Sequence, residues 1–180
     1  SNSLMECLVF ARQLGAIDLP AVSGDEREHW RSREDTVSTS QIHARSNTSI
    51  GELMRSIDDL SEQCWEVAGV NRSRAGMQTL LQSTRSAMSP LEREELLCIV
   101  NRQSHQQLLE LEEPSRQELN LLLDLIHRQR TTGLLLEACL FRTESRGGHF
   151  RSDAPCSLPQ WRRHSRQIRG EGIKTRSVTG

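Results

Sequence analysis

The sequence predicts an all-α fold, a small antiparallel bundle of three long helices plus shorter ones, preceded by one separate buried helix and a linker. Three observations carry this. Apolar residues recur at helical spacing through two long stretches, Ile50–Ala68 and Leu119–Leu140. Ser or Thr stands three residues ahead of an acid at several helix starts, and no stretch alternates apolar and polar residues as a half-buried strand would. With 35% hydrophobic residues, 3% aromatic residues and no Tyr in 180 residues, only part of the chain can be densely packed.

In chain order, residues 1–17 open with Ser3 as helix cap and Glu6 three residues on. Leu4, Cys7, Leu8, Phe10, Ala11 and Leu14 then cover more than one face, and Gly15 suits the exit. Residues 18–48 lose periodicity and hold Pro20, Gly24 and many charged and hydroxyl residues, so they read as a flexible linker or insertion with Trp30 as its large anchor. Order resumes at Ser49, which with Glu52 forms a second capping box. Ile50, Leu53, Met54, Ile57, Leu60, Cys64, Val67 and Ala68 then follow the helical period, Trp65 is expected in the core, and Gly69 ends the helix. A shorter helix is predicted over 73–86. Ser89-Pro90-Leu91-Glu92 reads as a new helix start, continuing towards Leu111 and stopped by Pro114. Ser115 with Glu118 reads as a third capping box, opening the longest helix. Gly133 in its middle costs about 1 kcal/mol relative to Ala and calls for a close neighbouring backbone. Residues 49–155 thus form the helical domain, and 156–180 an irregular basic tail.

Composition narrows the function. The net charge of −1 argues against polyanion binding, and Trp161 is the sole aromatic of the basic tail, so a solvated tail is expected rather than a nucleic-acid module. Five dispersed cysteines lack Cys-x-x-Cys spacing, and the histidines lack ligand spacing. A metal site and a disulfide framework are not expected, and reduced, mostly buried thiols in a cytoplasmic protein are. No apolar run reaches the length of a membrane span. The densest run of functional residue types is Glu144-Ser145-Arg146-Gly147-Gly148-His149-Phe150-Arg151-Ser152-Asp153. Glu144, Arg146, His149, Arg151 and Asp153 read as an ion-paired joint between packed parts, because Arg–carboxylate pairs are directional and bidentate. Gly147-Gly148 reads as the end of the long helix rather than a phosphate cradle, since no helix start follows. The abrupt opening on Ser1-Asn2-Ser3 suggests the carboxyl-terminal part of a larger protein.

Three stretches, in order, resemble the succinate dehydrogenase/fumarate reductase flavoprotein family. Ser1–Phe10 resembles its last flavin-binding segment and Cys64–Ser73 its Trp-x-x-x-Gly-x-x-Arg stretch. Glu144–Pro155 resembles the closing motif of its helical carboxyl-terminal domain, with Trp161-x-x-His164 just beyond. Glu6-Cys7 in the first stretch favours the branch that oxidises L-aspartate. The resemblance implies that residues 1–17 are the last helix of a truncated FAD-binding domain and that FAD is the cofactor. It further implies oxidation of L-aspartate to iminoaspartate with O2 or fumarate as acceptor, feeding NAD and quinolinate biosynthesis with quinolinate synthase as a further partner. It places Ser3 and Leu4, through backbone N–H groups at a helix tip, against the flavin edge that gains negative charge on reduction. Asn2 lies beside them and Ser1 next to the substrate, while Ser3 by its local pattern alone is a plain helix cap. The family's catalytic Arg and His groups fall in segments upstream of its last flavin-binding stretch, so no catalytic residue is assigned here. The joint of residues 144–153 would then face the FAD-binding and capping domains of the same polypeptide. A free-standing helical interaction module is the rival from another class.

Overall fold

The structure, a computed structural model, describes residues 38–102 and 107–178. Their elements are β1 (Ser38–Ile42), α1 (Ile50–Ala68), α2 (Arg74–Glu92), α3 (Glu95–Arg102), β2 (Gln107–Leu111) and α4 (Glu113–Phe141). A 3₁₀ turn (Pro159–Trp161) and the strands β3 (Arg163–Ile168) and β4 (Gly172–Ser177) follow. Strands β1 and β2 pair, and β3 and β4 form an antiparallel hairpin.

The bundle is helical as expected. Helix α1 begins at the Ser49 capping box, with the Ser49 side chain accepting from Glu52 N and the Glu52 carboxylate accepting from Ser49 N. Contacts between Cys64 and Thr132 and between Ser61 and Arg128 run α1 parallel to α4. Ion pairs Arg85–Glu137 and Arg130–Glu92 run α2 antiparallel to α4. The result is an up-down-up bundle in which α1 and α4 end, and α2 begins, at the same pole.

Two apolar clusters fill it. One joins Leu53, Ile57 and Leu60 of α1, Leu96 and Leu97 of α3, and Leu122, Leu125 and Ile126 of α4. The other, nearer the shared pole, joins Ala68, Met77, Leu80, Leu81, Leu136 and Cys139. Buried Gln129 and Thr132 separate them along α4. The stripe predicted for the long helix is therefore the face it buries, with a polar interruption.

Several local expectations fail for physical reasons. Ser89-Pro90 does not start a helix, because α2 runs through Pro90 and ends two residues later in an i→i+3 turn, Arg93 N to Pro90 O at 3.1 Å. A proline in the last turn removes one hydrogen bond, and the carbonyl it leaves free belongs to exposed Ser86. The following helix stops at Arg102 rather than near Leu111, which lies in β2. Pro114 sits in the first turn of α4, where its missing N–H is harmless, and α4 begins at Glu113. The Ser115–Glu118 capping box does not form, since both residues are buried inside the helix and Glu118 accepts from Arg45 and Ser46 instead. No backbone crowds Gly133: a methyl group there would meet only Leu81 Cδ1 at 4.0 Å. Trp65, expected in the core, is 71% exposed. Part of the tail read as irregular is the β3–β4 hairpin, whose strands have too few apolar residues to signal themselves.

The segment before α1 is strapped to the bundle by two buried carboxylates. Glu118 takes a two-pronged contact from Arg45 and the N–H of Ser46, and Glu94 takes Asn47 N at 2.9 Å and Thr48 Oγ1 at 2.7 Å. The Arg45 guanidinium holds the Glu118 carboxyl below its usual pKa, against the opposing effect of burial.

Candidate functional site

The residues singled out at 144–153 assemble at the shared pole. The chain leaves α4 at Arg142, makes a tight reversal and returns across the helix ends. Arg146 and His149 exchange both backbone hydrogen bonds, at 2.8 and 3.0 Å, so Gly147-Gly148 is a two-residue β-turn and not the end of α4. Gly147 has φ +56°, which the first central position of a type II′ turn requires and a side chain resists.

Arg151 is the keystone. It is 1% exposed, and its Nη1 donates to the carbonyls of Cys139, Leu140 and Arg142 at 3.3, 3.3 and 3.0 Å. These are carbonyls that the end of α4 leaves without helical partners, and a cation there also meets the negative pole of the helix dipole. The other side of the guanidinium grips Asp153 through Nε and Nη2. Asp153 in turn accepts the N–H of Arg74, the first residue of α2. One Arg–Asp pair thus caps the end of α4 and the start of α2. The Arg151 guanidinium, helped by the Arg74 N–H, holds the Asp153 carboxyl below its usual pKa.

Glu144 is the second node. It is fully buried and accepts from Arg142, from Arg146 through Nε and Nη2 at 2.8 and 3.0 Å, and from Leu158 N at 2.7 Å. The Arg146 guanidinium is the main cause of a pKa lowered to about 2, with the Leu158 N–H and Arg142 assisting against burial. His149 is half-buried, with Nε2 3.3 Å from the carbonyl oxygen of Arg142. Burial pushes its pKa down, and the nearby Arg72, Arg151 and Arg142 push it the same way, opposed by that hydrogen bond.

The Trp-x-x-x-Gly-x-x-Arg stretch meets the same site. Arg72 Nε donates to Ala68 O at 2.9 Å at the end of α1, and Nη1 donates to Gly148 O at 2.8 Å in the turn. Its backbone N–H donates to Phe150 O at 3.1 Å, and its carbonyl accepts Ser152 N at 2.8 Å. The sharp exit of α1 that allows this depends on Gly69, where a Cβ would stand 2.3 Å from Trp65 O. Two motifs recognised separately in the sequence are one structural unit binding three helix ends.

Sequence reasoning missed Arg142 and the full role of Trp161. The Arg142 guanidinium donates to the carbonyls of Trp161 and Arg163 and lies 5.4 Å from the Trp161 ring centroid. Trp161 also packs edge-on against Phe141 and donates to Thr143 Oγ1 at 3.0 Å. Arg142 falls outside the run that drew attention, and only its place directly after the long apolar helix could have flagged it.

Chemically, the site is a clasp. Each oxygen of the Glu144 carboxylate takes two donors, and Asp153 takes three from Arg151 and Arg74, so both carboxylates are engaged in holding the helix ends. Ser1, Asn2, Ser3 and Leu4, the residues expected beside flavin and substrate, lie outside the described residues. Nothing described fits a dinucleotide, since the one glycine pair forms a β-turn with no helix opening behind it. Among the described residues no group of three His, Cys, Asp or Glu side chains could hold a metal ion, and no described helix is long and apolar enough to cross a membrane. The described cysteines are free: Cys139 is buried, Cys64 and Cys98 half-buried, and Cys156, against expectation, exposed.

L-aspartate oxidase from Synechocystis sp. is 31% identical over 92% of this chain and 29% of its own length. L-aspartate oxidase from Nostoc sp. is 31% identical over 92% of the chain and 28% of its own length. A fumarate reductase (CoM/CoB) subunit from Methanothermobacter marburgensis is 26% identical over 90% and 27%. The chain spans under a third of the length of these relatives. The model of the fumarate reductase flavoprotein C-terminal family matches residues 57–171, a span containing all of the clasp, so the chain belongs to the succinate dehydrogenase/fumarate reductase flavoprotein family.

Proposed function

We propose that this chain is the flavin-facing helix and helical carboxyl-terminal domain of an FAD-dependent enzyme that oxidises L-aspartate to iminoaspartate. The observation that carries the reading is the agreement of two relatives, both bearing the name L-aspartate oxidase, at 31% identity over 92% of the chain. In such an enzyme a bound FAD would supply the redox chemistry, with O2 or fumarate as the electron acceptor. The product serves quinolinate synthase and NAD biosynthesis, in the cytoplasm.

In this reading the described residues contribute no acid or base. Their task is to present a rigid face to the FAD-binding domain, with Ser3, Leu4 and Asn2 at the cofactor and Ser1 at the substrate. The clasp suits that task because its charges are satisfied internally, while large apolar side chains beside it are open to water: Trp65 at 71%, Val70 at 75% and Phe150 at 43% exposure. Exposed apolar side chains gathered beside a rigid polar centre are what a docked neighbouring domain would cover. Glu144, Arg146, His149, Arg151 and Asp153 then hold the interdomain surface in shape.

The test is made on the intact polypeptide that contains this chain. It is expected to purify yellow, with flavin absorbance, and to release hydrogen peroxide with L-aspartate. A colourless protein that takes up no FAD overturns the reading. Turnover of succinate without turnover of L-aspartate moves the assignment to a fumarate reductase-like flavoprotein.

A further inference from the structure

Among the described residues most cations of the bundle and the clasp contact a carboxylate, although Arg55, Arg72 and Arg93 contact carbonyl or hydroxyl oxygens instead. On the bundle and in the clasp, Arg45, Arg85, Arg116, Arg128, Arg130, Arg142, Arg146 and Arg151 each contact a carboxylate. On the β3–β4 ribbon, Lys174 alone contacts one among the described residues, Glu171 in the same hairpin loop. The pairing register decides where the rest stand. His164 lies opposite Arg176, and Arg166 lies opposite Lys174. Side chains alternate along a strand, so these four share one face of the ribbon. All four are exposed, while the neighbouring Gln167 turns to Glu137 of α4 at 2.8 Å.

Like charges directly opposite each other destabilise a two-stranded ribbon. This ribbon carries such a pair, Arg166 and Lys174, next to an imidazole–guanidinium pair, with half-buried Ile168 as the one apolar side chain beside them on that face. We propose that the His164–Arg166–Lys174–Arg176 face docks an acidic segment of a partner protein. Charge complementarity names the partner's chemistry, and the geometry favours a polypeptide over a nucleic acid. No aromatic residue stands among the four for a base to stack on. Glu171 sits at the ribbon tip, where a phosphate backbone extending past the patch would meet it. A short acidic segment needs only the local patch.

The experiment uses the intact polypeptide that contains this chain and two labelled probes of matched charge, an octaglutamate peptide and a short DNA duplex, followed by fluorescence anisotropy at low and physiological salt. Octaglutamate is expected to bind and to weaken with salt. Arg166→Glu with Lys174→Glu is expected to weaken it about tenfold. The neutral Arg166→Thr with Lys174→Thr is expected to weaken it less while leaving the melting temperature unchanged or higher, since it relieves the opposed charges. Arg55→Glu with Arg102→Glu, on the bundle, is the control and is expected to leave binding unchanged. The proposal is overturned by absence of octaglutamate binding, by tighter binding of the duplex, or by an equal loss in the control. A fall in melting temperature for the threonine variant equally overturns it, because the face would then be structural.

Discussion

Replacing Arg151 by Met tests the clasp most directly. Met keeps much of the apolar stem and removes the guanidinium. Two Nη1 hydrogens now serve three carbonyls at the end of α4, at 3.0–3.3 Å. Losing them leaves buried acceptors at about 1 kcal/mol per lost bond, so about 2 kcal/mol. Asp153 loses its bidentate partner, but its side chain is 35% exposed and keeps the Arg74 N–H, so rehydration limits that loss to about 1 kcal/mol. The sum, about 3 kcal/mol, sits at the low end for breaking a buried ion pair, as the exposure of Asp153 requires. At roughly 2–4 °C per kcal/mol for a chain of this size, the melting temperature should fall by roughly 6–12 °C. Arg151→Lys restores the charge without the fork and should recover about half. Urea unfolding of the three proteins measures both differences. A loss below about 1 kcal/mol for Met, or full recovery by Lys, would refute the idea that this guanidinium caps the helix end through several simultaneous bonds.

Three further outcomes follow from the same geometry. Gly133→Ala should stabilise by about 1 kcal/mol, because the helix gains propensity and the new methyl meets only Leu81 Cδ1 at 4.0 Å; an unchanged or lower urea midpoint would contradict this. Gly69→Ala should destabilise by about 1–3 kcal/mol, since its Cβ would stand 2.3 Å from Trp65 O and force the α1 exit to move, and calorimetry showing an unchanged melting temperature would count against that close approach. Glu144 has a folded pKa of about 2 against an ordinary 4.5, so the unfolded chain binds its proton first as pH falls. Its stabilisation is therefore complete above about pH 4.5 and is lost between there and about pH 2. The urea midpoint of Glu144→Gln should fall less steeply than that of wild type across this window, and parallel curves would exclude the linkage.

Some of this protein was legible in its amino acids. Local rules succeeded where one competing force acted. The Ser49–Glu52 box opens α1 because nothing else in reach claims either side chain, and the period of α4 reads true because the helix buries a single stripe. They failed where a distant partner offered more. Glu118 left its capping role for the Arg45 guanidinium 73 residues earlier, and Pro90 was absorbed into the last turn of a helix already held against α4.

By itself, then, the sequence determined helical content, the main core stripes and the membership of Glu144, Arg146, His149, Arg151 and Asp153 in one motif. Only the tertiary structure decided what that motif does. Bringing α1, α2 and α4 to one pole places three helix ends within reach of Arg72, Arg151 and Asp153, and unpaired carbonyls and amides at helix ends are the groups such side chains satisfy best. The same folding left Trp65 in water, because a side chain's burial depends on which face its neighbours occupy, and no local pattern records that.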